Sequence, residues 1–314
     1  MTTLWPRINA VLLMLVLGAL VTTIAMLARG ASGGPLDPEG TPGPTDSVRL
    51  PGTPISSVPF AITAPGRYYL TRSLGYTGSG SAISIAEHVD DVTLDLGGFT
   101  LTGPFGGSGI RALGPTTPSQ FPLQIVNGYV RHFQTGVNVE LAAHVRIDGV
   151  HAFNNTGNGF NLGHHSVVSN CTAANNGGHG IYVASSLVHV ENCMVIDNGQ
   201  SGVYVAGDDS SMRNLQVLRN GATGVIFAGS GNLIEESVVK EHSGDDIRIA
   251  GLGNTVRDNT TRFMQIESTG ATTYIMDNVC VGGNGRIFDA SAFIDFIPVV
   301  TAPHANYECP VQVP

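Results

Sequence analysis

The residues that could carry out chemistry in this 314-residue chain are a few imidazoles and carboxylates that lie between short apolar runs. His179, Asp208 and Asp209 are the candidates for general acid or base catalysis, and His165 is a fourth. Asp208 and Asp209 together also offer the oxygen ligands that a hard cation such as calcium prefers. Whether these groups can cooperate depends on the elements that position them.

The apolar runs repeat with a period close to 22 residues. They open at Ala82, Gly109, Gly136, Gly159, Gly180, Gly202, Gly224 and Asp246. A second ladder runs through Asn127, Asp148, Asn170, Asn192, Asn214, Glu236 and Asp258, and a third through Asn154, Asn176, Asn198, Asn220 and His242. Ladders that stay in phase predict a solenoid, because each repeat can bury its apolar face only against its neighbours.

The composition of each repeat selects the kind of solenoid. The runs are short, rich in Val and Ile, and alternate with period two, as in Val203-Tyr204-Val205. Gly, Asn, Ser and Asp fill the gaps, and helical periodicity is nearly absent after residue 30. We predict an all-β parallel β-helix of at least eight coils, in which the ladder asparagines form the turns and stack on one another.

The repeat body resembles a known group. The unit over residues 190–205 resembles the right-handed parallel β-helix repeats of the pectin-lyase-like superfamily, and residues 55–74 with 92–101 resemble the N-terminal cap and first coil of bacterial members. The resemblance covers roughly residues 52–290 and implies a right-handed, single-stranded β-helix. That scaffold carries lyases, hydrolases, epimerases, tail spikes and adhesins, so the fold alone does not give the function.

The N-terminal segment predicts export. No charged residue lies between Arg7 and Arg29, and residues 11–28 are almost all apolar. This is the pattern of a signal peptide or of an N-terminal membrane anchor over residues 1–30, which predicts a secreted, periplasmic or cell-envelope protein. The further boundaries that we expect are a Pro/Gly-rich linker over 31–51, an N-terminal cap over 52–81, the β-helix over 82–262, and a last coil with the C-terminal cap over 263–314.

The charge balance restricts the partners. The formal net charge is −9, and Lys240 is the single lysine, which argues against nucleic acid or an anionic membrane surface as a partner. A neutral glycan fits this balance better than a polyanionic one.

The four cysteines fall into two pairs. Cys171 and Cys193 occupy equivalent positions of adjacent coils, where parallel side-chain directions disfavour a disulfide. We therefore expect the two side chains to stack as small apolar groups without a disulfide between them. Cys280 and Cys309 lie in the non-repeating C-terminal segment and are predicted to form a disulfide. None of these spacings suggests a zinc site.

The middle residues of successive runs face solvent, and together they form one row on the outer surface of the solenoid. The row includes Arg111, Asn138, Asn161, Tyr182 and Tyr204, which combine aromatic rings with hydrogen-bonding groups. Such a surface suits a sugar chain. These five residues are our predicted carbohydrate contacts, and we call them the tyrosine row.

The alternative is an enzyme that uses the acids and imidazoles beside this row. Gly178-His179-Gly180 and Asp208-Asp209 are similar to motifs of polygalacturonases, but their order is reversed and the other motifs are missing. His179 and Asp208 should also lie at opposite ends of a strand, on the order of 15 Å apart, which is too far for a cooperating pair. We therefore favour a glycan-binding β-helix over a glycoside hydrolase, and keep a lyase or epimerase with His179 as the base as the minor alternative.

Overall fold

The computed structural model describes residues 52–113, 123–267, 273–276, 278–280, 286–289 and 311–312. These residues form 31 strands and no α-helix. No helix in this part of the chain is long and apolar enough to cross a membrane. The predicted leader or anchor, the linker, Cys309 and most of the predicted C-terminal cap lie outside the described residues.

The strands pair in parallel and form three faces of a solenoid, which confirms the predicted parallel β-helix. Face A contains β1 Thr53–Ile55, β3 Gly66–Leu70, β6 Val92–Asp95, β13 Val167–Ser169, β16 His189–Glu191, β19 Ser211–Arg213, β22 Leu233–Glu235, β25 Thr255–Arg257 and β28 Tyr274–Met276. Face B contains β4 Leu74–Gly75, β7 Thr100–Thr102, β14 Thr172–Ala174, β17 Met194–Ile196, β20 Gln216–Leu218, β23 Val238–Lys240, β26 Thr260–Thr261 and β29 Val279–Cys280. The long strands β9 Leu123–Arg131 and β11 Val145–Phe153 cross from face A to face B.

Face C is the third face, and its twelve strands form a separate sheet. They are β2 Phe60–Ile62, β5 Ile83–Ile85, β8 Ser108–Ala112, β10 Thr135–Val139, β12 Phe160–Leu162, β15 Ile181–Val183, β18 Val203–Val205, β21 Val225–Phe227, β24 Ile247–Ile249, β27 Phe263–Ile266, β30 Arg286–Asp289 and β31 Val311–Gln312. Alternate residues of each strand point inward. Ile181, Val183, Val203 and Val205 are fully buried, and each buried side chain of this size contributes about 1.5–3 kcal/mol.

The corners between faces follow one rule in the regular coils. A residue with left-handed backbone is followed by a residue whose side chain points inward. In the coil from 187 to 198 the left-handed residues are Leu187, Asn192 and Asp197, with φ of 61°, 54° and 56°. The residues after them, Val188, Cys193 and Asn198, are all buried. Asparagine and glycine are common at the left-handed positions because they tolerate positive φ.

Two ladder positions differ from the prediction by one residue. Asn155, rather than Asn154, stands in the third ladder: its Oδ1 accepts the Phe133 N–H at 3.0 Å, while Asn154 has φ 54° and is exposed. Gly149, rather than Asp148, holds the left-handed corner of the second ladder, with φ 63°. Both differences have the same cause, because Ile147 pairs with Val168 and this coil is therefore 21 residues long.

The inward asparagines form a continuous hydrogen-bonded ladder. The Oδ1 atom of each accepts the backbone N–H of the previous one, at 3.1 Å from Asn155 to Asn176, 3.1 Å from Asn176 to Asn198 and 3.0 Å from Asn198 to Asn220. Each Nδ2 donates to a carbonyl of the previous coil in the core, as from Asn198 to Ala173 at 3.0 Å. The buried backbone N–H groups would otherwise have no partner at the corner, so the ladder stabilises the fold.

The other two corners carry equivalent ladders that the sequence analysis missed. One uses Ser210, Asn232 and Asn254, and the other uses Ser237 and Asn259. Cys171 belongs to the second of these, since its Sγ accepts the Val150 N–H at 3.4 Å. Both Cys171 and Cys193 are buried and unpaired, as predicted.

The repeat glycine at the start of each face C run is a consequence of the asparagine ladder. A Cβ atom at Gly202 would lie 2.7 Å from Asn220 Nδ2 and 2.5 Å from Val217 Cγ1. A Cβ atom at Gly180 would lie 2.8 Å from Asn198 Nδ2. The repeat glycines at the start of the face C runs and the inward asparagines of the third ladder therefore pack directly against each other.

We expect Asn198→Ala to lower the free energy of unfolding by about 2–3 kcal/mol, because the Asn176 N–H loses its acceptor inside the core. Asn192→Gly in the same coil is the matched control and should change it by less than about 0.5 kcal/mol, since glycine accepts the left-handed backbone. Urea unfolding measures both. Equal losses for the two variants would contradict the inward ladder.

We expect Gly202→Ala to destabilise the fold by about 1–3 kcal/mol through overpacking against Asn220 and Val217. Gly244→Ala serves as the control, because its nearest neighbours would lie at 3.4 Å, an ordinary contact distance. Thermal unfolding followed by circular dichroism compares the two. A Gly202→Ala variant as stable as the control would show that the glycine row has another cause.

Candidate functional site

The tyrosine row lies along the outside of face C in consecutive strands. Arg111 pairs with Asn138, Asn138 with Asn161, Asn161 with Tyr182, and Tyr182 with Tyr204. Arg111 is exposed, and the other four side chains are half-buried. The structure therefore brings all five predicted carbohydrate contacts into one line, with Ile226 and Arg248 continuing it.

A second row of polar residues runs beside it, just before the face C strands. It consists of Asn158, His179, Ser201, Thr223 and Asp245, placed in adjacent coils by hydrogen bonds of the neighbouring glycines. Asn158 connects the two rows. Its Nδ2 donates to Asn161 Oδ1 at 2.8 Å, and its Oδ1 accepts the His179 N–H at 2.8 Å. We call the two rows together the face C site.

The centre of the site is a cluster of three rings. The His179 ring lies 6.0 Å from the Tyr182 ring and 5.1 Å from the Tyr204 ring, and the two tyrosine rings stack at 5.7 Å with an angle of 28°. Part of each tyrosine ring face is thus occupied within the cluster. We therefore expect a ligand to meet the edges and hydroxyl groups of these rings rather than open ring faces.

Burial of the His179 ring favours its neutral form. Burial lowers its pKa because the protonated ring loses hydration, and the Ser201 backbone opposes this shift. Its Nδ1 atom is buried and makes no hydrogen bond among the described residues. A neutral ring can accept a proton, but a general base is normally oriented by a partner on its second nitrogen, which His179 lacks here.

The C-terminal end of the site is an ion-pair network. Arg248 binds both carboxylate oxygens of Glu267 at 2.7 Å, and Gln265 Nε2 donates to the same carboxylate at 2.9 Å. Burial raises the pKa of Asp245 beside it, while Arg248 acts in the opposite direction. Arg248 is therefore neutralised already. Arg111, at the other end, makes no ion pair within the described part of the chain.

Asp208, Asp209 and His165 lie at the opposite corner of the coil from His179. Asp208 Oδ1 accepts the Ser230 N–H at 2.7 Å, so it acts as a turn residue between coils. Asp209 and His165 hold left-handed backbone, each with φ 52°. The pKa of His165 is lowered by desolvation and by its neighbours His144 and His164. The structure does not bring this group together with His179.

Face B carries a second aromatic cluster that the sequence analysis did not identify. Tyr129 is 39% exposed and stacks on His151 at 4.9 Å, with Phe153 at 6.3 Å and the Arg131 guanidinium over Phe153 at 5.8 Å. The signal in the sequence was the spacing of 22 between Tyr129 and His151 and between Arg131 and Phe153. Burial lowers the pKa of His151 as well.

No group of three or more His, Cys, Asp or Glu side chains that could hold a metal ion occurs in the described residues. The predicted Cys280–Cys309 disulfide includes a residue outside the described part of the chain.

A family model described as "Right handed beta helix region" matches residues 100–211. The chain superposes on the A-module of mannuronan C-5 epimerase AlgE4 of Azotobacter vinelandii with a TM-score of 0.61, at 16% identity over 81% of this chain and 80% of that chain. An alginate lyase from Paenibacillus sp. str. FPU-7 gives 0.53, at 15% identity over 79% and 91%. The protein ORF18 of Geobacillus virus E2 gives 0.56, at 13% identity over 76% and 54%. The chain has a right-handed parallel β-helix fold, as these solved structures do.

At these identities the structural likeness shows the fold and no more. No curated protein sequence matches this β-helix. The roles of its residues therefore depend on the geometry of the face C site itself.

We expect Tyr204→Ala to raise the pKa of His179 in this β-helix toward the ordinary value of about 6.5, because the variant readmits water to the ring. Tyr129→Ala on face B is the reciprocal control, which should raise the pKa of His151 and leave His179 unchanged. NMR titration of the ring nitrogens measures both. A His179 pKa that responds equally to either variant would contradict the local cause.

Proposed function

We propose that this protein is an exported β-helix that binds a polysaccharide along face C. The observation that carries the proposal is the pair of parallel rows of amide, hydroxyl and aromatic side chains on one outer face. Ser201 and Thr223 of the second row are almost fully buried and offer little surface to a ligand, whereas Asn138, Asn161, Tyr182 and Tyr204 stand half-exposed. Groups of this kind, uncharged and able to donate and accept, match the hydroxyl groups of sugars.

The dimensions of the face favour a polymer. From Arg111 to Arg248 the row makes six strand steps, which at about 4.8 Å each gives a length of about 29 Å. Across this direction the face is narrow, because its strands are only three to five residues long here. A long and narrow ligand such as a glycan chain fits this shape, and several weak contacts along it would add up.

Electrostatics favour a neutral or sparsely charged chain. The protein has a net charge of −9, and Glu267 neutralises the Arg248 end of the row. Arg111 is then the cation available to an acidic sugar. The structural neighbours named as a mannuronan epimerase and an alginate lyase support a carbohydrate ligand in general, and the predicted export segment would place it in the cell envelope or outside the cell.

The second candidate function is a lyase or epimerase that removes a proton from a uronic sugar. The His179 ring, whose neutral form is favoured by burial beside the rings of Tyr182 and Tyr204, favours it. Such chemistry also needs a positive group on the sugar carboxylate, and Arg111 stands three strand steps from Tyr182, which is about 14 Å. That separation exceeds the reach of one sugar unit. Binding is therefore the function that the geometry supports better.

The test is to incubate the purified protein with neutral and acidic polysaccharides, with and without calcium, and to measure both binding and new chain ends. We expect binding to a neutral glycan without cleavage, and Tyr182→Ala and Tyr204→Ala should each weaken it about tenfold, equivalent to about 1.4 kcal/mol. Calorimetry gives the affinity, and mass spectrometry detects the chain ends.

Tyr129→Ala on face B is the matched control and should leave the affinity unchanged. If this variant alone weakens binding, the ligand lies on face B. New unsaturated or epimerised sugar units that disappear in His179→Ala would establish the enzymatic alternative. No binding across the panel would reject the glycan proposal.

A further inference from the structure

The asparagine ladder ends on a histidine. Asn220 donates its backbone N–H to His242 Nδ1 at 3.0 Å, in the place where each earlier pair uses an asparagine Oδ1 atom. His242 is 9% exposed, so this hydrogen bond lies inside the corner of the solenoid. His242, the last member of the third ladder, therefore provides an imidazole that takes over the acceptor role of the amide.

The second ring nitrogen occupies the position of the amide nitrogen. A Cβ atom at Gly224 would lie 2.5 Å from His242 Nε2, just as one at Gly202 would lie 2.7 Å from Asn220 Nδ2. The imidazole can accept at Nδ1 only when that atom carries no proton, so the ring must be neutral with its hydrogen on Nε2. An asparagine at this position cannot lose its acceptor, whereas a histidine loses it on protonation.

The charged groups that face His242 are Asp246, Arg262 and the adjacent Glu241. Asp246 is fully buried and holds the next coil: its carboxylate accepts the Arg262 N–H at 2.6 Å, the Phe263 N–H at 3.1 Å and the Arg262 guanidinium at 3.2 Å. A protonated His242 would therefore lose the Asn220 N–H and compete with Arg262 for Asp246. Both changes weaken hydrogen bonds that join the segment of His242 and Asp246 to the neighbouring coils.

We propose that His242 is an acid-sensitive joint, at which protonation releases β24 and the coil after it, which begins at β27, from the regular ladder before them. Arg248 in β24 and Gln265 and Glu267 in the following coil form the C-terminal end of the face C site. Acid would then open that end of the site while the coils around Tyr182 stay closed. The joint itself does not depend on the proposed glycan function.

The direction of the effect follows from the burial of the ring. Burial lowers the pKa of His242, although Asp246, the Val217 backbone and Glu241 act in the opposite direction. The closed coil thus keeps the ring neutral, whereas the opened coil takes up a proton near the ordinary value of about 6.5. The stability of the closed form is complete above that pH and falls as the pH drops, by up to about tenfold in the opening constant per pH unit.

The experiment is hydrogen exchange with mass spectrometry on the whole protein and on His242→Asn, from pH 7.5 to 5.0, corrected for the intrinsic pH dependence of exchange. In the natural protein we expect peptides covering residues 247–266 to lose up to about tenfold in protection between pH 7.5 and 5.5, the limit for one proton bound near pH 6.5. Peptides over residues 160–205 should keep theirs. His242→Asn restores the ladder amide and should remove the pH-dependent loss.

An equal pH-dependent loss in His242→Asn would overturn the proposal, and so would a loss spread evenly along the solenoid, which would point to His151, His165 and His179 instead. NMR of the His242 ring in the unaltered protein gives an independent test if the variant does not fold. The expected result is a proton on Nε2 and titration below about 6.5. A proton on Nδ1 at neutral pH would reject the joint.

Discussion

The structure depends on how the buried N–H groups at the coil corners find acceptors. Within the faces, parallel strands satisfy their own backbone, but a corner has no partner strand and cannot leave a donor unpaired in the core. Here an inward side chain of the next coil accepts that donor, as Asn198 does for Asn176 and Asn232 does for Ser210. A left-handed residue before it turns the chain, and a glycine beside the asparagine makes room.

The inward side chains provide these acceptors at the corners. The outward side chains can therefore differ from one face to the next. Face A presents Arg213 and Arg257 against Glu235 and Glu236. Face B presents the aromatic cluster around Tyr129, and face C presents the tyrosine row with its second polar row. Ion pairs of the kind on face A contribute little to stability at an exposed surface. The fold therefore depends little on these ion pairs.

Two histidines show how position in the coil decides the role of one residue type. His179 stands outside the corner, where its ring packs on two tyrosines and can meet a ligand. His242 stands inside the corner and serves as a backbone acceptor. Burial lowers the pKa of both. A drop in pH therefore acts on the surface of the face C site through His179, and on the coils at its C-terminal end through His242.

The sequence by itself determined the β-helix, the alignment of the tyrosine row along one face and the equivalent positions of Cys171 and Cys193 in adjacent coils, because every coil adds nearly the same number of residues and equivalent positions must align. Counting could not decide between Asn154 and Asn155 or between Asp148 and Gly149, since one coil is 21 residues long and both choices fit the period. Tertiary structure decided these positions through the hydrogen bonds and backbone angles at the corners. It also decided that the tyrosine rings stack on each other and that Asp208 caps a turn, because both depend on contacts between coils that the repeat does not specify.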